Sequence, residues 1–208
     1  MNLPNKLTIA RLCLTVVFVV LFYVPLANRV SWALVIFLVA SFTDYLDGEI
    51  ARRRNLVTDF GKLMDPLADK ILMAAALVML AAEPREPLRL PAWTVIVVLA
   101  REFFVTGIRL LAMNKGAVLA AEKLGKHKTL WQMITVVYFM AARASAEPPG
   151  PGGGEPMMQW AAHAFEWKWF SPHVFGFSCL AIMVTLTLIS GLSYFQKNRA
   201  LFMHDGER

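Results

Sequence analysis

The sequence predicts an all-α integral membrane protein, a bundle of six transmembrane helices with both termini in the cytoplasm. Two observations predict this fold. The 208 residues are 57% hydrophobic, and their mean hydropathy of +0.51 exceeds that of soluble domains. Segments of about 20 mostly apolar residues, the length that crosses about 30 Å of hydrocarbon, also recur along the chain. Six spans leave no room for a second domain, so residues 1–208 form one membrane domain.

Each span has a local justification. The first is long, carries Arg11 and lacks a small-residue cleavage site, so it is not a cleavable signal peptide. The second ends among aspartates. The third should begin at Pro66, because a residue before proline disfavours helix. The fourth and fifth carry polar residues, and the sixth contributes length and hydrophobicity. The predicted spans are 9–27, 31–47, 66–82, 91–111, 127–143 and 174–194.

The distribution of lysine and arginine predicts the orientation. With both termini inside, thirteen basic residues lie on the cytoplasmic side and five on the other, which follows the positive-inside rule. The net charge of +6 then reflects topology and attraction to anionic lipid and phosphate, and nucleic-acid binding is not expected. Cys13 and Cys179 lie inside spans and are expected to pack as small apolar residues.

Four aspartates fall at helical spacing where the chain meets the cytoplasmic side. Asp44 and Asp47 are three residues apart, and Asp65 and Asp69 are four apart, so each pair shares a helix face. Clustered acids at a membrane boundary repel one another and are costly to desolvate, so they need a cation. Carboxylates suit Mg²⁺, Mn²⁺ or Ca²⁺. The alternative is a solvated acidic turn with ordinary salt bridges; four acids with interposed small residues favour the metal site.

The spacing D-x2-D-G-x2-A-R-x8-G-x3-D-x3-D also carries a resemblance. The chain matches it without a gap at Asp44, Asp47, Gly48, Ala51, Arg52, Gly61, Asp65 and Asp69. This pattern resembles the signature of the CDP-alcohol phosphatidyltransferases. The resemblance implies an integral membrane enzyme that moves a phosphatidyl-type group from a CDP-linked lipid to an alcohol. It further implies two Mg²⁺ or Mn²⁺ ions on the four aspartates, with Asp69 also acting as the base. For the third helix it implies a start before Pro66, with the proline near the first turn.

The remaining motif residues are expected to hold the CDP-lipid. Small residues at Gly48, Ala51 and Gly61 would let the nucleotide approach the helices, and Arg52 would pair with the donor phosphates. Two more residues, Asn5 and Thr8, could line the same pocket with Arg11, or could instead be helix-start residues.

Polar residues in the fourth and fifth spans suggest an anion pocket. Glu102 and Arg109 are seven apart and share a face that should point into the bundle, although Arg101 and Glu102 could serve only as structural pairs between helices. Lys126 and Lys128 open the fifth span, where lysines are commonly topogenic or snorkelling. Together with Arg109 they could hold a phosphate.

Three strings are similar to the glycerol-3-phosphate branch of the family: MNLPNKLTIAR at the start, the run Arg101–Ala112, and GKHKT. The branch resemblance implies CDP-diacylglycerol as donor and glycerol-3-phosphate as acceptor, its phosphate on Arg109, Lys126 and Lys128. It also implies a homodimer among lipids of the bacterial inner membrane, with the site facing the cytoplasm. Other acceptors stay open: serine, inositol phosphate or phosphatidylglycerol. A divalent-cation transporter and a polyprenyl transferase are the rivals from other classes; the inner-end position of the acids and the A-R-x8-G spacing disfavour them.

The outer loop, about 144–172, contains the run PPGPGGGEP at 148–156, which is expected to be flexible. After that run, Trp160, Phe165, Trp167 and Trp169 suggest a segment in the headgroup zone or simply an aromatic belt.

Overall fold

The computed structural model describes residues 3–54, 59–82, 89–114, 123–149, 156–167 and 169–199. Regular structure in these ranges is helical, which confirms the predicted all-α class. The long helices are α1 (Leu3–Tyr23), α2 (Arg29–Arg54), α3 (Asp59–Ala82), α4 (Ala92–Asn114), α5 (Lys123–Ser145) and α7 (Phe177–Asn198). A short helix, α6 (Ala162–Glu166), and a π-helical turn, Pro172–Gly176, come before α7. Each predicted span overlaps one long helix, but the predicted end of the first span at residue 27 is wrong for the helix, because α1 ends at Tyr23.

Two helices extend well beyond the predicted apolar spans. The second span was predicted to end at residue 47, whereas α2 continues to Arg54. The start at Pro66 expected from the residue before proline is wrong for the helix, and the earlier start implied by the resemblance is confirmed, because α3 begins at Asp59 and runs through the proline. A proline in the first turns of a helix removes one hydrogen bond, the one to the carbonyl four residues earlier, and the rest of the helix compensates. The acidic motif therefore lies on helices that project past the apolar core.

By length and composition, one described helical stretch, Pro172–Asn198, is able to cross a membrane, with a mean hydropathy of 2.0. Shorter apolar helical stretches are Leu7–Tyr23, Arg29–Thr43 and Lys70–Ala82. The charged residues within α4, at the C-terminal end of α2 and at the N-terminal ends of α3 and α5 lower the hydropathy of those helices.

The bundle is apolar on both its inside and its outside. Phe18, Phe37 and Phe139 are fully buried in one continuous core. Large apolar side chains also face outward, with Ile96 66% and Phe103 71% exposed. Such a surface is unfavourable in water and fits a hydrocarbon environment.

The end of α5 fixes the two helices that carry the aspartates. The Glu147 carboxylate accepts hydrogen bonds from the backbone N–H groups of Val30 (2.7 Å) and Ser31 (3.1 Å), at the start of α2. The Arg143 guanidinium donates to the carbonyl of Leu80 (2.6 Å), near the end of α3. Both contacts satisfy backbone groups that helix ends leave without partners. Because α2 is held at its N-terminal end and α3 near its C-terminal end, the opposite ends of the two helices, which carry the aspartates, are placed relative to each other.

The aromatic segment before α7 is divided between buried and exposed rings. The Tyr138 hydroxyl donates to the Phe170 carbonyl (2.6 Å), and the rings of Phe165 and Phe170 lie 5.5 and 5.3 Å from that of Tyr138. The three tryptophans point away and are 69–79% exposed: Trp160, Trp167 and Trp169. Residues 150–155, the centre of the predicted flexible run, lie outside the described residues.

Candidate active site

The acidic motif lies near the C-terminal end of α2 and in the N-terminal half of α3, two consecutive helices. Asp44 and Asp47 lie on α2, and Asp65 and Asp69 lie on α3, which packs against it. The predicted helical spacing of each pair is thus confirmed at the backbone level. No group of three or more metal-ligating side chains occurs among the described ones, which do not include the four aspartates. Ten of the predicted site residues have side chains outside the described part of the structure, so their predicted contacts stay predictions. They are Asn5, Asp44, Asp47, Gly48, Ala51, Arg52, Gly61, Asp65, Asp69 and Lys126.

Helix α1 brings a buried polar face to the same region. Thr8 and Arg11 are each only 1% exposed, and α1 packs against both α2 and α3. Thr8 lies in the second turn of α1, so the alternative of a helix-start role is wrong for it. A buried arginine is costly unless polar or anionic groups surround it. Its placement on the helix that contacts both acid-bearing helices agrees with the predicted polar pocket.

A cavity of about 470 Å³ opens between α3, α4, α5 and α7. Its volume is in the range of small-molecule sites. The charged residues in its described lining are Lys70, Arg101, Glu102 and Arg109. Three cations and one carboxylate give this wall an excess of two positive charges, which suits a phosphate dianion. The uncharged residues in the lining are Val105, Gly125, Thr129, Leu130, Met133 and Tyr194.

Arg109 is oriented by the last helix. Its Nε donates to the hydroxyl of Tyr194 at 3.2 Å, and its guanidinium carbon lies 5.7 Å from the centre of that ring. Tyr194 is 2% exposed, so the arginine is held against a fixed aromatic surface. Glu102 and Arg109 share one face of α4, as predicted, since both line the cavity, and Arg109 is exposed there.

Glu102 joins α4 to α5. Its Oε1 accepts a hydrogen bond from Arg101 Nη1 at 2.9 Å and another from the Nζ of Lys128. The interhelical partner of Glu102 is therefore Lys128, whereas Arg101 is its neighbour on the same helix. Lys128 is 2% exposed; it bonds to Glu102 and is not in the described lining of the cavity. Of the three bases predicted to hold a phosphate, Arg109 is the one in the described lining of the cavity.

Sequence reasoning missed two residues of this site, Lys70 and Tyr194. The Lys70 ammonium donates to the hydroxyl of Thr106 on α4, and Lys70 directly follows Asp69, so the cavity begins one residue from the acidic motif. A lysine inside an apolar span beside that motif was itself a signal. Tyr194 could not be found this way, because it lies 85 positions from Arg109 in an otherwise apolar helix.

Comparison with known proteins decides the family. The model of the CDP-alcohol phosphatidyltransferase family matches residues 1–171. The chain belongs to this family. It is therefore an enzyme of a membrane family, as the acidic motif predicted. The family match ends before α7, so Tyr194 lies beyond it.

Two relatives with assigned names align over nearly the whole chain, and a third aligns over two thirds of it. A Bacillus subtilis (strain 168) protein is 37% identical, with 95% of each chain covered. A Rickettsia typhi protein is 34% identical, covering 97% of this chain and 99% of its own. A Salmonella typhimurium protein is 37% identical, covering 67% of this chain and 76% of its own. Each is named CDP-diacylglycerol–glycerol-3-phosphate 3-phosphatidyltransferase.

Proposed function

We propose that this chain transfers the phosphatidyl group from CDP-diacylglycerol to sn-glycerol-3-phosphate, giving phosphatidylglycerophosphate and CMP. The observation that carries the proposal is the cationic cavity that begins at Lys70, directly beside Asp69. A phosphorylated acceptor bound there lies next to the helix that bears the acidic motif. The names of the aligned relatives support the same acceptor.

The cavity would hold the acceptor by its phosphate. Arg109 presents a planar fork fixed by Tyr194, and such forks bind phosphate oxygens in pairs. Lys70 and Arg101 add two charges to the same wall. Lys126, at the start of α5, would complete the site, while Lys128 would act through Glu102 or bind the phosphate directly.

Catalysis would depend mainly on positioning and charge. Asp69 would accept the proton of the acceptor hydroxyl. The hydroxyl oxygen would then attack the β-phosphorus of the donor, and CMP would leave. Arg52 would pair with the donor phosphates, and the small residues Gly48, Ala51 and Gly61 would admit the nucleotide. The hard carboxylate oxygens of the motif fit two Mg²⁺ or Mn²⁺ ions. When bound, the ions would neutralise charge on the pyrophosphate and the departing CMP. The residues that would hold them are Asp44, Asp47, Asp65 and Asp69.

The membrane would supply the donor and receive the product. We place the six long helices across a bacterial inner membrane, with both termini and the acidic motif on the cytoplasmic side. The apolar outer surface of the bundle supports this placement, as does the excess of basic residues at the inner helix ends. Lipid tails would enter and leave sideways between helices. A homodimer is part of the same proposal.

The test is CMP release by the purified protein with CDP-diacylglycerol and Mg²⁺, measured for each acceptor in turn. Glycerol-3-phosphate should support turnover, whereas serine, inositol phosphate, phosphatidylglycerol and free glycerol should give little. Arg109→Lys keeps the charge but loses the fork, so it should raise the acceptor KM about tenfold and leave the KM for CDP-diacylglycerol unchanged. Equal turnover with free glycerol would refute the acceptor assignment and leave the family membership intact.

A further inference from the structure

A carboxylate stands in the wall of a cavity that otherwise presents cations. Glu102 is the acid in the described lining, where the cations are Lys70, Arg101 and Arg109. A negative side chain repels a phosphate and lowers its affinity. If the cavity served only to bind a phosphate tightly, a neutral side chain would serve better there. The position of Glu102 therefore needs a separate physical reason.

The hydrogen bonds of Glu102 give that reason. One carboxylate oxygen, Oε1, accepts from both Arg101 and Lys128. Lys128 is 2% exposed, and a buried ammonium without a counter-ion is strongly destabilising. The Arg101 Nε is also buried and makes no hydrogen bond with the described residues. A guanidinium has five donors and an ammonium three, so the two cations can bind more acceptor oxygens than Glu102 supplies.

We infer that Glu102 is the resident counter-anion of the acceptor cavity, and that an incoming phosphate takes over part of its bonding to Arg101, which lines the cavity, while Lys128 stays paired with Glu102. This inference rests on the proposed function for the identity of the acceptor. Whatever stabilises the empty cavity relative to the filled one weakens ligand binding by the same amount. Glu102 thus holds the phosphate affinity down.

The reaction itself makes a weak phosphate site useful. Phosphatidylglycerophosphate keeps the phosphate that the acceptor brought, so the cavity has to release the same group that it binds. A carboxylate that competes for the cations speeds this release. Because product release commonly limits turnover in efficient enzymes, faster release raises kcat. Glu102 would then lower acceptor affinity and raise kcat together.

The experiment compares the purified wild-type protein with Glu102→Gln, using inorganic phosphate as the ligand and thermal unfolding as the readout. Without phosphate the variant should unfold at a lower temperature. Its apparent Kd for phosphate should fall about tenfold, the scale of one like-charge contact in a partly buried site. In turnover assays its KM for glycerol-3-phosphate and its kcat should both decrease. Damage to the cavity alone would raise KM.

Glu147→Gln is the matched control. Glu147 is likewise a carboxylate that holds a neighbouring helix; it is buried and lies beyond the C-terminal end of α5, away from the cavity. This control should lower the unfolding temperature and leave the phosphate Kd unchanged. An unchanged or weaker phosphate affinity in Glu102→Gln would overturn the inference.

A second pair of variants covers the case in which Glu102→Gln does not fold. Lys128→Met leaves the Glu102 charge less compensated and should weaken phosphate binding. Adding Glu102→Gln removes both partners of the buried pair, which is better tolerated than removing one, and should recover most of that affinity. A double variant that binds phosphate no tighter than Lys128→Met would refute the role of Glu102. Phosphate binding and turnover are measured separately. If the proposed function is wrong, the acceptor assay fails while the effect of Glu102→Gln on phosphate binding remains.

Discussion

The contact between Arg109 and Tyr194 offers a sharp test of the acceptor site, because it joins the cavity to the last helix. Tyr194→Phe deletes the hydroxyl that accepts the Arg109 Nε–H at 3.2 Å and keeps the ring that lies 5.7 Å from the guanidinium carbon. Hydrogen bonds to charged groups are worth about 1.5–3 kcal/mol. This bond is long and Arg109 is exposed to solvent, so about 1 kcal/mol is a better figure.

A loss of about 1 kcal/mol corresponds to about a fivefold change in an equilibrium constant. We expect Tyr194→Phe to raise the KM for glycerol-3-phosphate by about that factor, with the KM for CDP-diacylglycerol unchanged. Tyr194→Leu also removes the cation–π contact, worth about another 0.5–1 kcal/mol, so it should raise the acceptor KM further. The assay is CMP release at saturating donor over a range of acceptor concentrations.

Tyr138→Phe is the control for nonspecific damage. Tyr138 likewise loses a hydrogen bond from a mostly buried hydroxyl, here to the Phe170 carbonyl at 2.6 Å, but in the aromatic cluster before α7. It should reduce thermal stability without changing either KM. If Tyr194→Phe left the acceptor KM unchanged, or raised both KM values equally, Tyr194 would not act by orienting Arg109.

Three further predictions concern the metal site, the topology and the outer end of the bundle. A chelator should abolish turnover and Mg²⁺ or Mn²⁺ should restore it, and Asp65→Asn should lower kcat at least about a hundredfold; near-normal turnover of the folded variant would refute the metal assignment. In a cysteine-free background, cysteines at Ala146 and Gln196 should react with an impermeant thiol reagent from opposite sides of the membrane, and labelling of both from one side would contradict the six-span arrangement. Glu147→Gln should lower the free energy of unfolding by about 1–3 kcal/mol, measured by thermal unfolding, because N–H groups at the start of α2 lose part of their buried acceptor; an unchanged stability would show that water replaces the carboxylate there.

The sequence was sufficient for the helices because the signal for a span is local. An apolar segment of about 20 residues is visible without any knowledge of its neighbours, and every predicted span falls on one long helix. It was insufficient for the helix ends, since hydropathy reports where hydrocarbon ends and not where helical hydrogen bonding ends. For this reason α2 reaches Arg54 and α3 begins at Asp59, beyond the limits that hydropathy predicted.

The acidic motif was visible for the same reason, because its eight positions lie within 26 consecutive residues, Asp44 to Asp69. The contacts of the acceptor cavity are not local. Lys128 was predicted to face a phosphate, but its pairing with Glu102 depends on how α4 and α5 pack. Tyr194 could not be identified as a site residue, since a single sequence does not show that it contacts an arginine on another helix.

This difference between local and distributed parts has a consequence for specificity. The residues predicted to bind the donor and the metals belong mostly to two consecutive helices, α2 and α3. A substitution at one of these positions is therefore expected to disturb the others. The acceptor cavity instead takes one to four residues from each of α3, α4, α5 and α7. Substitutions on the last three of these helices should therefore be able to alter the acceptor while the reaction at the donor is retained. Lys70 is the exception, because it follows Asp69 on α3 and bonds to Thr106 on α4. A change at Lys70 is expected to affect both acceptor binding and kcat, which would distinguish it from changes at Arg109 or Tyr194.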